Sequence, residues 1–105
     1  MEMTEKQARL TKFWKKFLRM TRGRVTVLRT LEIIAIEEKD TAFKDSVTVV
    51  RTTIEGGSTM SQAMLKHPDH FSPSIVELIK TAEKTGAWDE ILQEIVDGLL
   101  DGTFE

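Results

Sequence analysis

At 105 residues, 40% of them apolar and 30% charged, the chain has the size and balance of one modest globular domain, which excludes a disordered polyelectrolyte. Cysteine is absent, so disulfides and Cys-ligated zinc are excluded and a reducing cytoplasm is the expected setting. The net charge of −2 conceals a polarity: residues 1–29 hold nine basic and two acidic side chains, residues 30–105 six and fifteen.

Helix signals dominate the chain from its start. Thr4-Glu5-Lys6-Gln7 has capping-box spacing, in which the Thr hydroxyl and the Gln side chain satisfy the first free amides. Leu10, Phe13, Trp14, Phe17 and Leu18 then recur at three- and four-residue intervals on one stripe, with Lys12, Lys15, Lys16 and Arg19 largely opposite. This first helix is expected to end near Gly23. A second runs from about Val25 to Glu38, with Leu28, Leu31, Ile34 and Ala35 facing inward. Asp40 caps a third, in which Phe43, Val47, Val50 and Ile54 keep helical spacing despite the β-branched run Val47-Thr48-Val49-Val50.

Gly56-Gly57 stops the third helix, and Thr59-Met60-Ser61-Gln62 repeats the capping-box spacing for a short fourth that Pro68 ends. Ser72-Pro73 supplies an N-cap and a first-turn proline for the fifth, which carries Ile75, Leu78, Ile79 and Ala82 and stops at Gly86. From Trp88 a sixth helix places Ile91, Leu92, Ile95, Val96 and Leu99 on one face and Glu90, Gln93, Glu94 and Asp97 on the other, its end loosened by Gly98 and Gly102. The expected fold is all-α, a compact six-helix bundle spanning residues 1–105.

Chemistry is sparse. His67-Pro68-Asp69-His70 has the residue types of a metal site, but proline breaks the helical spacing and no further His or Cys completes a set, so a polar interhelical loop is expected. Glu83 and Glu90 bracket Gly86 and are weighed as a cation-binding pair against solvated charges. The Gly56-Gly57 turn lacks the glycine spacing and Lys-Ser/Thr ending of a nucleotide-binding loop. No catalytic residue, metal or cofactor is expected.

Two interaction features stand out. The basic face of Lys12, Lys15, Lys16, Arg19 and Arg22 fits a nucleic acid, an anionic lipid surface or an acidic protein, against the simpler reading of a solvated face. Trp14 and Phe17 fall on the buried stripe rather than beside the lysines, which makes a nucleic-acid role the lesser expectation. Five methionines and an aromatic-rich first helix, wider than a small core needs, lead to an expected apolar patch for self-association or partner docking.

The residue series from Ile54 to Leu92 carries a family resemblance. Ile54-Glu55-Gly56-Gly57-Ser58-Thr59-Met60-Ser61-Gln62-Ala63, then His67-Pro68, Phe71-Ser72-Pro73, Ala82-Glu83-Lys84-Thr85-Gly86 and Asp89-Glu90-Ile91-Leu92, resembles the type II secretion system F domain, found also in type IV pilus assembly platform proteins. That family reads i-x-x-G-x-s-l-s-x-A, h-P-x-x-F-p and G-E-x-s-G-x-L-x-x-v-L. Phe13-Trp14-Lys15-Lys16-Phe17 and Leu28-Arg29-Thr30-Leu31-Glu32-Ile33 match its first two helices more weakly. Two places depart: Gly23-Arg24-Val25-Thr26 lacks the proline usual there, and Ala82 stands where the family has glycine.

The resemblance implies a non-catalytic six-helix scaffold on the cytoplasmic side of the bacterial inner membrane. Its implied partners are the secretion or pilus assembly ATPase and other platform proteins, often with self-association. Gly56, Ser58, Ala63, Pro68, Phe71, Glu83, Gly86 and Leu92 would be turn and packing residues. Members carry transmembrane helices after such a domain; the present sequence contains no run near the ~20 apolar residues of a span and no cleavable signal pattern, so neither insertion nor leader-dependent secretion is expected.

Overall fold

Thr4 opens the first helix as its spacing predicts: its hydroxyl accepts the Gln7 amide at 3.0 Å and Gln7 Oε1 accepts the Thr4 amide at 3.0 Å. The computed structural model describes residues 3–104; Met1, Glu2 and Glu105, at the ends of the expected 1–105 span, lie outside the described residues. The helices are α1 (Glu5–Arg22), α2 (Val27–Glu37), α3 (Thr41–Glu55), α4 (Met60–Leu65), α5 (Pro73–Thr85) and α6 (Trp88–Leu100), with no strand among the described residues. None is long and apolar enough to cross a membrane.

The threonine-rich α3 is helical, and its hydroxyls bond back to their own helix. Thr48, Thr52 and Thr53 each donate to the carbonyl four residues earlier, at 2.8, 3.0 and 2.7 Å, which satisfies the hydroxyls locally without contributing to helix stability. Phe43, Val47 and Val50 are then fully buried on one face. Tertiary burial decides against the local β preference of the valine run.

Each helix packs on its neighbours in the chain, and α6 returns to pack on α1, so the six close into a circuit. The radius of gyration, 12.7 Å, matches the ~13 Å expected of a compact chain of this length. At the centre lie Phe13, Trp14 and Phe17 of α1, Phe43 of α3 and Phe71 of the α4–α5 loop, every one at most 2% exposed. Phe13 meets Trp14, Phe43 and Phe71 edge to face with centroids 4.9, 5.5 and 5.6 Å away. Edge-to-face pairs add about 0.5–1.5 kcal/mol each beyond area burial, so α1 is the spine of this core.

That arrangement corrects one expectation. The aromatic stripe of α1 is not wider than the core: Leu10, Phe13, Trp14, Phe17 and Leu18 are all buried and leave no aromatic patch. Of the methionines, Met60 and Met64 are buried as well. The large apolar side chains that do reach solvent, Met3, Ile36, Val49, Leu65 and Leu100, are distributed over separate elements. Single exposed apolar residues such as Ile36 of α2, Val49 of α3 and Leu65 of α4 are ordinary, whereas Met3 and Leu100 line one groove beside α1.

Turns also differ in detail. Gly23 has φ −81°, and the left-handed position of the α1 terminus falls on Arg24, at φ 64°. Arg24 N–H donates to Thr21 O and Val25 N–H to Met20 O, both at 3.0 Å, the paired bonds of a Schellman motif with arginine where glycine is usual. Thr26 then caps α2, so that helix starts at Val27 rather than Val25. Gly98, read as loosening α6, does something else. An added Cβ there would lie 2.3 Å from the Phe104 ring, so the missing side chain lets the C-terminal segment fold back onto the helix.

Candidate interaction surfaces

The motif residues converge on the α4–α5 region. At the end of α3, Gly56 keeps right-handed geometry while Gly57 takes φ 112°; Gly57 N–H bonds Ile54 O at 3.0 Å and Ser58 N–H bonds Thr53 O at 3.3 Å. The positive φ thus falls on Gly57, and Ser58 contributes its backbone amide to the cap. Thr59 opens α4 with a reciprocal capping box to Gln62. Ala63 and Ala82 are fully buried where α4 and α5 pack together, and alanine at 82 is accommodated without disturbing α5.

Glu83 is neither half of a cation pair nor a solvated charge. Its carboxylate reaches from α5 to the start of α4, accepting the Ser61 amide at 2.9 Å and the Ser61 hydroxyl at 2.6 Å. The second amide of α4 has no partner within its own helix, and an acceptor anion at a helix N-terminus is favoured by both the free donor and the dipole. Glu90 lies separately, exposed on the outer face of α6. Pro68 sits in the exposed turn after α4, Phe71 plugs the aromatic core, Leu92 is fully buried, and Gly86 ends α5 at φ 77°.

The histidine loop is a packing feature. His70 Nδ1 lies 2.9 Å from Ser46 Oγ, and its ring stacks at a tilt on Phe43 with centroids 5.1 Å apart. Burial, with Lys6 and Arg9 nearby, holds the His70 pKa below its ordinary value against the opposing pull of Asp69 and Asp40. Among the described residues no three metal-ligating side chains gather closely enough to hold an ion.

The basic face of α1 is divided by its neighbours. Lys16 pairs with Glu37 of α2, and Arg22 clasps α6 through Asp89 at 2.6 Å and Gln93 at 2.9 Å. The Arg22 contact holds the Asp89 carboxyl below its usual range. Lys12, Lys15 and Arg19 make no ion pair among the described residues and line a shallow groove of about 410 Å3 with Met3, Thr11 and Leu100. Its five expected members therefore reduce to three open cations.

A second concavity, larger than the basic groove, is not anticipated by the sequence. A groove of about 890 Å3 runs along α6, floored by Leu78 of α5 and Phe104, and edged by Glu90, Glu94, Asp97 and Asp101. Glu90 and Glu94 make no ion pair among the described residues. A signal was present: no Lys or Arg follows Lys84, while five acids fall between Asp89 and Asp101. What the sequence did not reveal was that Gly98 lets Phe104 fold back to make a floor.

Residues 13–102 match the family model described as type II secretion system (T2SS), protein F. The chain belongs to that family. The T2SS protein F match spans the aromatic core, the α4–α5 motif region and α6 together. The chain is 31% identical over 87 residues to the type IV pilus assembly protein PilC of Thermus thermophilus, covering 83% of this chain and 21% of that protein. It is 28% identical over 83 residues to PilC of Myxococcus xanthus, covering 79% of this chain and 20% of that protein. Likewise it is 28% identical over 71 residues to the type IV pilus assembly protein TapC of Aeromonas hydrophila, covering 68% of this chain and 17% of that protein. It spans about a fifth of the length of these curated relatives.

Proposed function

We propose that this T2SS protein F chain is a non-catalytic scaffold or adaptor of a type II secretion or type IV pilus assembly platform, contacting the assembly ATPase and other platform components at the inner face of the inner membrane. The observation that carries the reading is what the motif residues do. Gly56, Ser58 and Gly86 form helix caps, Ala63, Phe71 and Leu92 fill the core, and Glu83 ties α5 to α4. Side chains engaged in this way maintain a shape, which supports the scaffold reading for these motif residues.

Two surfaces are available to partners in this reading: the Lys12, Lys15 and Arg19 face of α1 and the groove along α6. The alternative occupant of the basic face, a nucleic acid or an anionic membrane, is weakened by the pairing of Lys16 and Arg22, which leaves three cations to neutralise phosphates. Self-association is part of the same proposal, and the aromatic stripe of α1, being buried, is not its surface.

The test is a pull-down and binding titration of the folded chain against the platform ATPase and the other platform components of its own system. Saturable binding to at least one is expected, and binding to none rejects the adaptor role. Tight, steeply salt-sensitive binding to DNA, RNA or anionic vesicles would instead transfer the function to the basic face.

A further inference from the structure

The α6 groove combines three properties that rarely coincide on a solvated helix face. It is concave, it has an apolar floor of Leu78 and Phe104, and its edges are acidic over the whole length of the helix. Arg22, the single cation on its lining among the described residues, is already tied to Asp89 and Gln93, so the charge left to a visitor is that of Glu90, Glu94, Asp97 and Asp101. Asp101 and Asp97 are held by Thr103 and Gln93, whose hydrogen bonds leave their negative charge in place.

Only some ligand chemistries fit. Phosphates and anionic lipids are repelled by the rim. The carboxylates are spread along the helix rather than gathered on a point, so a single metal ion is not what they select. No strand edge exists among the described residues to recruit an extended peptide by backbone pairing. A helix that carries lysines or arginines outward and one or two large apolar side chains inward satisfies both floor and rim.

From this complementarity we infer that the groove formed by α6, Leu78 and Phe104 is the docking site for a basic amphipathic helix of a partner protein. The inference rests on the adaptor reading and names the contact chemistry of one of its surfaces. Apolar anchors enter between Leu78 and Phe104, and the cations meet Glu90, Glu94 and Asp97. The basic face of α1 stays free, so a second, acidic partner can bind the same molecule at once.

The probe is a synthetic peptide of about 14 residues, enough to follow α6 at ~1.5 Å per residue, with lysines on one helical face and leucines at i, i+3, i+4 and i+7 on the other. Titrated into isotope-labelled chain, it is expected to shift amide resonances of α6, residues 74–78 and residues 101–104. Glu94→Lys with Asp97→Lys, both at exposed positions that leave the core intact, should weaken binding at least about tenfold. Glu77→Lys, an exposed acid of α5 outside the groove, should change it by less than about twofold. Circular dichroism checks that each variant is folded.

No binding, equal binding of a scrambled peptide of the same composition, or shifts centred elsewhere overturns the inference. Concentration-dependent shifts of the chain alone, affecting α1 and α6 together, would assign the groove to a second copy and likewise overturn it. Pull-downs separate the two readings. If native platform components bind wild type and the doubly substituted chain equally, the groove is wrong and the adaptor role stands. If none binds wild type, the adaptor role is wrong, and the peptide titration alone decides the groove.

Discussion

Glu83, on α5, closes the N-terminus of α4 by accepting both the backbone amide and the hydroxyl of Ser61, 22 residues earlier in the chain. Ser61 is buried, so neither of its donors has ready access to water. A helix of six residues has almost no internal ladder to hold it. Its stability comes from the Thr59–Gln62 capping box, the burial of Met60, Ala63 and Met64, and this one contact from outside.

Removing the acceptor should therefore loosen α4. Glu83→Ala is expected to lower stability by about 1–3 kcal/mol, the cost of leaving buried donors unpaired. Glu83→Gln keeps one acceptor oxygen and should lose less. Urea denaturation gives the two values, and faster hydrogen exchange at Ser61 locates the effect. Equal stability of wild type and Glu83→Ala would remove the contact from any account of the fold.

Arg24 occupies a left-handed position with φ 64° and is exposed. Its backbone completes the α1 cap while its side chain makes no ion pair among the described residues. Arg24→Gly should relieve the strain and raise stability by about 0.5–1 kcal/mol, net of the greater freedom glycine has in the unfolded chain. Thermal unfolding measures the gain, and a lower Tm would mean that the arginine side chain matters more than its backbone.

Thr30 is fully buried in α2 and its hydroxyl has no hydrogen-bond partner among the described residues. Valine has nearly the same shape and no polar atom. Thr30→Val is expected to stabilise the chain by about 1 kcal/mol, because the desolvation penalty of an unmatched hydroxyl disappears. Chemical denaturation of the pair of proteins checks it. A loss of stability would place an acceptor beside Thr30 Oγ1 in solution.

His70 sets a pH dependence whose direction follows from its environment. Its folded pKa is below the ordinary value, chiefly through burial, so the unfolded chain binds the proton more readily. Stability therefore rises with pH through the window between the folded pKa and about 6.5, and falls as the solution is acidified through it. His70→Asn, which can still meet Ser46, should flatten the dependence in that window. Unchanged slopes in wild type and variant would assign the effect elsewhere.

Much of this architecture was legible in residue order because its causes are local. Thr4, Thr59 and Ser72 cap helices with donors three residues away, Gly86 takes a left-handed turn that disfavours side chains, and apolar spacing near 3.6 marks each inward face. The motif series from Ile54 to Leu92 was legible for the same reason, and it pointed to the family that the match over residues 13–102 establishes.

What only the tertiary structure decided involves partners distant in the chain. Lys16 and Arg22 look like their neighbours in sequence, yet folding brings Glu37 and Asp89 to them and leaves Lys12, Lys15 and Arg19 open. Glu83 looks like a surface acid until Ser61 is placed against it. The α6 groove exists because α6 closes on α1 and because Phe104 folds back over Gly98. Caps and stripes depend on spacings of three or four residues, which a sequence displays directly. Charge pairing and concavity depend on which helices meet, and packing alone determines that.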